Sequence, residues 1–159
     1  MNRNLLQQVN ETSDGQHPFA VVISCMDSRT SAELIFDQGL GDVFSVRIAG
    51  NIINEDILGS MEFACKVAGA KLIVVLGHSK CGAIKGACDH VEMGNLTALL
   101  SKIQPAVFDE KSISENRNSS NSELISRWLN SIGPKINWLP LISAYIFFSY
   151  LFTENAEVW

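Results

Sequence analysis

Two short segments whose apolar residues run without interruption, Phe19–Ser24 and Lys71–Gly77, constrain this chain most. A strand with one wet face alternates apolar and polar side chains; these do not alternate, so both of their faces must be covered. Strands covered on both faces belong to parallel sheets flanked by helices, which predicts an α/β fold. Val43–Arg47 reads as a shorter third strand. The intervening stretches predict helices near Ser31–Gln38, over about Glu55–Val67, and from about Gly82 to Glu92 with a stop at Gly94. The Glu55 helix carries its own boundaries: Asn54 as N-cap, Glu55 and Asp56 in the first turn, and Gly69 just past its end.

This grammar ends near residue 108. Asp109–Glu123, DEKSISENRNSSNSE, holds one large apolar residue, Ile113, and reads as a polar loop or linker, since so little burial cannot offset the entropy of ordering it. The segment 124–159 is apolar and aromatic, with eight of the thirteen aromatic residues in the last 32 positions. Its uncharged run Ile136–Thr153 would span about 27 Å as a helix, the lower limit for crossing a bilayer. Pro140 inside that run, and the lack of a basic cluster beyond Lys135, weigh against a membrane anchor. The expected organisation is therefore a domain over 1–108, a loop over 109–123, and a divergent C-terminal segment.

A formal charge of −5 without any Lys/Arg run leaves no footprint for a phosphate backbone, which excludes nucleic acid as a partner. Four cysteines are too few for a disulfide framework, and the first residues hold no apolar core of signal-peptide length. The expected setting is cytoplasmic, with reduced thiols.

Chemistry-bearing residues gather in two clusters, each just beyond the carboxyl end of a predicted strand, where parallel α/β sheets place their ligands. The first is Cys25-Met26-Asp27-Ser28-Arg29; the second is Gly77-His78-Ser79-Lys80-Cys81-Gly82. A His-x-x-Cys pair alone is weak evidence, and a lone cysteine at a strand end usually packs. Cys25, His78 and Cys81 together are a Cys/His/Cys donor set suited to Zn²⁺, with the fourth tetrahedral position left open, as in catalytic sites. Two thiolates cancel the metal's charge, so such a site needs help in orienting a bound hydroxide. Asp27 can accept its hydrogen bond, and Arg29 can grip Asp27 and keep it off the metal. A cysteine-nucleophile phosphatase loop is disfavoured, because only three residues separate Cys25 from Arg29 where such loops have five. Cys65 and Cys88 read as packing or free thiols, and His17 and His90 lack partners at ligand spacing.

The pair of motifs C-x-D-S-R and G-H-x-x-C-G, in this order and with Gly41–Asn51 between them, closely resembles the β-class carbonic anhydrases over about residues 1–108. The resemblance implies one Zn²⁺ per chain on Cys25, His78 and Cys81, and a catalytic dyad of Asp27 and Arg29. It further implies reversible hydration of carbon dioxide to bicarbonate and a proton by zinc-bound hydroxide, in a homodimer or higher homo-oligomer. Gln16, Phe44 and Phe63 match substrate-pocket positions, Phe63 standing where several relatives have tyrosine. Beyond residue 108 the resemblance fades, so the chain is expected to lack the family's closing C-terminal strand. A non-catalytic, truncated zinc-binding relative is the alternative.

Overall fold

The computed structural model describes residues 4–130, 135–139 and 142–148. In chain order the elements are α1 (Leu5–Glu11), β1 (Ala20–Ser24), α2 (Ala32–Ile35), β2 (Val43–Arg47), α3 (Glu55–Glu62), β3 (Leu72–His78), α4 (Gly82–Cys88), α5 (Gly94–Ser101), α6 (Gln104–Asp109), α7 (Ser122–Asn130), β4 (Lys135–Leu139) and β5 (Ile142–Phe148). They form one five-stranded sheet in the order β2-β1-β3-β5-β4. β1 pairs in parallel with β2 and β3, so that Ser24 lies opposite both Arg47 and Leu76. β5 runs antiparallel to β3, and β4 antiparallel to β5.

Every residue of β1 is buried, as its unbroken apolar run requires. Its side chains divide between two faces: Val21 and Ile23 pack with Ile57, Ala64 and Ile73, and Val22 packs with Ala32, Val74 and Leu76. α3 begins where the sequence places it, with the Asn54 side chain accepting from the Ile57 amide at 3.0 Å. It continues as a π-helical turn, Phe63–Val67, and Gly69 follows in the left-handed region at φ 81°. The helix expected to reach Glu92 stops at Cys88 instead. His90, at φ 52°, turns the chain, and Gly94 opens α5 rather than closing α4.

A third core cluster sits at the carboxyl ends of β1 and β3: Cys25, Cys81, Ile84, Cys88, Leu100, Ile103 and Val107, joined by Leu124 and Ile125 of α7. Residues 110–121 contain neither helix nor strand, yet they are anchored. The Arg117 guanidinium donates to the carbonyls of Val107 and Ile113, and the Ser119 amide donates to the Asp89 carboxylate at 2.8 Å. Polar tethers thus order a stretch that burial alone would leave loose, and they deliver α7 to the core. Leu124, 1% exposed, is expected on truncation to alanine to cost about 2–5 kcal/mol, read as a fall in the midpoint of denaturant unfolding.

Two further strands, β5 and β4, extend the sheet from the free edge of β3, with β5 antiparallel to it. An unbroken apolar run does not by periodicity distinguish helix from buried strand. Aromatic and β-branched residues favour strand at Lys135–Leu139 and Ile142–Phe148. The candidate span Ile136–Thr153 is therefore not one helix: 136–139 and 142–148 are strand, and its remaining positions lie outside the described residues. Among the described residues no helix is long and apolar enough to cross a membrane.

Candidate metal centre

Because β1 and β3 are parallel neighbours in register, Cys25, one residue past β1, and His78, the last residue of β3, emerge at the same sheet edge. The chain then turns at Lys80, φ 59°, and places Cys81 as N-cap of α4. Cys25, His78 and Cys81 are 5%, 4% and 2% exposed. Their ligand atoms all lie within 4.8 Å of one another, and the two Sγ atoms are 3.9 Å apart.

The donor set is oriented for a cation. His78 Nδ1 lies 3.0 Å from the Ser79 carbonyl, which can only accept; that assigns the ring proton to Nδ1 and leaves Nε2 as a lone-pair donor. Nε2 is buried without a hydrogen-bond partner, a costly arrangement unless something else satisfies it. The backbone amides of Gly50 and Asp27 lower the proton affinity of Cys25, and those of Ile84 and Ala83 lower that of Cys81. The hydrogen bond between the two sulfurs lowers the proton affinity of Cys25, and the same pairing raises that of Cys81. Cys25 also raises the proton affinity of His78. Ionisation of one sulfur therefore disfavours ionisation of the other, an arrangement that a divalent cation would relieve, since thiol ligands bind metal deprotonated. Two sulfurs and one unpartnered imidazole nitrogen fit zinc.

Beside this cluster Arg29 forms a two-pronged bond with Asp27. Arg29 Nε donates to Oδ1 at 2.9 Å and Nη2 to Oδ2 at 2.7 Å, and the Arg29 amide also donates to Oδ1. This guanidinium holds the Asp27 carboxyl well below the usual carboxylate range. Asp27 Oδ2 stands 3.8 Å from His78 Nδ1. The Asp27 side chain is 18% exposed and that of Arg29 57%, so the pair spans the distance between the buried donors and solvent.

Of the residues singled out in the sequence, Cys25, His78, Cys81, Asp27 and Arg29 converge. Gln16, Phe44 and Phe63 do not join them. Gln16 is exposed in the segment before β1. Phe44 and Phe63 meet edge-on, ring centroids 6.1 Å apart, in an open groove with Val46, Glu55, Asp56, Gly59 and Ser60. Phe44 pairs with Val21, four residues before Cys25, which is about 13 Å along the sheet. Cys65 is half-buried and Cys88 fully buried, both as free thiols.

Sequence reasoning passed over three residues that shape the site. Arg47 donates to the carbonyls of Cys25 and Asp27, and Thr30, 3% exposed, donates its hydroxyl to the same two carbonyls. Gly50 sits at φ 69°, and a Cβ there would stand 2.5 Å from Ile103 Cδ1 and 3.1 Å from the Ala83 Cβ. Gly50→Ala is therefore expected to destabilise by about 1–3 kcal/mol and to disturb an amide that faces Cys25, seen as a lower thermal midpoint and weaker metal retention. Gly50 and Arg47 lie within the Gly41–Asn51 match to the β-class, but nothing in their spacing announces a role.

Comparison with known proteins identifies the family of the chain. The family model described as carbonic anhydrase matches residues 20–132, past the residue 108 at which the motif resemblance fades. Carbonic anhydrase 2 of Mycobacterium tuberculosis is 47% identical over 99 residues, covering 59% of this chain and 48% of that protein. The carbonic anhydrase of a Synechocystis strain is 39% identical over 114 residues, 68% of this chain and 38% of the relative. The chain thus spans about half or less of the length of these relatives. Among solved structures, the β-carbonic anhydrase CcaA superposes with a TM-score of 0.65 at 31% identity, over 77% of this chain and 64% of that one. With the family model covering most of the chain, and with β-class proteins among the relatives in both sequence and structure, the chain belongs to the β-class carbonic anhydrase family.

Proposed function

We propose that this chain binds one zinc ion through Cys25, His78 and Cys81 and catalyses the reversible hydration of carbon dioxide to bicarbonate and a proton. The observation that carries the reading is a buried three-donor cluster with an ionised carboxylate, Asp27, fixed beside it. Bound zinc supplies a Lewis acid that acidifies water at neutral pH. The chain's own residues do the rest. Cys25, His78 and Cys81 would hold the ion with three donors and so would leave it able to take water. Asp27, fixed beside the donors, would accept a hydrogen bond from the attacking water and so orient it. Arg29 holds both Asp27 oxygens, keeps the carboxylate ionised and would restrain it from taking a place on the metal. The Ser79 carbonyl fixes the His78 tautomer. Thiol ligands of this kind suit a reducing compartment such as the cytoplasm.

Metal analysis of the purified chain, combined with stopped-flow carbon dioxide hydration, tests this: about one zinc per chain together with hydration above the buffer rate is expected. A second reading, a zinc-binding relative without activity, draws on the distance of Phe44 and Phe63 from the donors. A zinc-loaded but inactive protein would establish it.

The open Phe44–Phe63 groove and the exposed Gln16 motivate a further prediction, that the substrate pocket is completed between copies of the chain. Solved structures of two β-carbonic anhydrases from Sordaria macrospora are tetrameric, with TM-score 0.64 and 27% identity over 75% of this chain and 62% of theirs. Specific activity is expected to fall on dilution in step with the loss of oligomer followed by light scattering. A fully active monomer would refute the shared pocket while leaving the zinc chemistry untouched.

A further inference from the structure

The turn that carries Asp27 is gripped from outside its own segment, and we infer that Arg47 is the positioning residue that sets the Asp27 carboxylate for the reaction. This rests on the carbonic anhydrase reading above. Arg47 is the last residue of β2 and lies opposite Ser24 in the parallel register, so its side chain reaches the backbone leaving β1. Nε donates to the Cys25 carbonyl at 3.2 Å and Nη2 to the Asp27 carbonyl at 2.6 Å. One planar guanidinium thereby spans the backbone from a metal-ligand candidate to the carboxylate beside it. A lysine ammonium, a single point on a flexible stem, does not reproduce that fork.

Thr30 grips the same two carbonyls from within the turn, with its hydroxyl at 2.9 Å from Asp27 O and 3.3 Å from Cys25 O and its amide at 3.0 Å from Asp27 O. Thr30 is buried and local to the turn, whereas Arg47 is exposed and ties the turn to the sheet. Arg47 touches neither the metal donors' side chains nor the Asp27 carboxylate in any contact seen here. Its influence runs through the peptide units, whose orientation sets where the Asp27 side chain leaves the backbone and meets Arg29. Small displacements of such a group are costly, since a shift of about 1 Å can reduce turnover on the order of a hundredfold.

The test uses the full zinc-loaded chain, with Arg47→Met, which keeps bulk and loses the donors, and Arg47→Lys. Amide hydrogen exchange by NMR reads the turn directly through the Arg29 amide, which donates to Asp27 Oδ1, and the Thr30 amide, which donates to Asp27 O. Arg47→Met is expected to speed exchange at these two amides by about tenfold or more. It should lower kcat by roughly 10- to 100-fold with KM, zinc content and β1 and β3 amide protection unchanged. Arg47→Lys should fall between wild type and Arg47→Met in both exchange and kcat. Unchanged loop exchange in Arg47→Met overturns the inference, as does faster exchange throughout the sheet with a matching fall in thermal midpoint, which would mark a merely structural role. A wild-type chain that holds zinc but does not hydrate carbon dioxide would defeat the functional reading alone, because the exchange measurement still decides whether Arg47 holds the turn.

Discussion

Replacing His78 with alanine is expected to take zinc from about one per chain to near none, and carbon dioxide hydration with it, on the order of 10³-fold or more. His78 supplies the single nitrogen donor, and its Nε2 is buried with no other partner, so no neighbour substitutes for it. Removal leaves two sulfurs 3.9 Å apart, a donor set with too few ligands for a closed or an open tetrahedral site. Cys25→Ser and Cys81→Ser should act in the same direction. The measurement is metal content by elemental analysis beside stopped-flow hydration. Full zinc occupancy in His78→Ala would show that the metal, if bound, sits elsewhere.

Asp27→Asn should have the opposite signature, with zinc retained and turnover lost by about a hundredfold. An amide is nearly the same shape as the carboxylate but presents a donor where Arg29 and the nucleophile both need an acceptor. Arg29→Ala should cost less, since Arg29 acts through Asp27. If either substitution strips the metal, the assigned roles are wrong. The pH dependence follows from the same pair. Arg29 depresses the folded pKa of Asp27, so the pair's contribution to stability is complete above the unfolded carboxylate value near 4 and is lost as pH falls through the lower folded value. Asp27 therefore stays ionised through the range in which activity is measured. Turnover rising with pH through and above neutrality, the expected result for a neutral thiolate-rich zinc site, then reports the metal-bound water rather than Asp27. A profile flat from pH 6 to 9 would contradict it.

Local chemistry made much of the site legible before any coordinates. The unbroken apolar runs of β1 and β3 demand burial on both faces whatever surrounds them, which already implies a parallel sheet and puts Cys25 and His78 at one edge. Asn54 caps α3 through a contact three residues away, so its role is written in adjacent residues. The same holds for Asp27 and Arg29, whose bonds close within a single turn.

Interactions that close over long sequence distances were decided only by the tertiary structure. Arg47 reaches Asp27 across twenty residues because β2 lies beside β1 in one particular register, and no spacing rule encodes that register. Gly50 matters because Ile103, on the far side of the site, packs against it. The polar 109–123 stretch is ordered by Arg117 and Ser119 bonding to groups at 107, 113 and 89, and the following Leu124 fills the core under Cys25 and Cys81. The aromatic run near the end could have satisfied its hydrophobicity as a helix or as a strand. The unpaired edge of β3, with a full row of backbone donors and acceptors to satisfy, is what selects the strand. Hydrophobic pattern states that a segment must be buried; which surface buries it depends on partners that the segment's own residues do not specify.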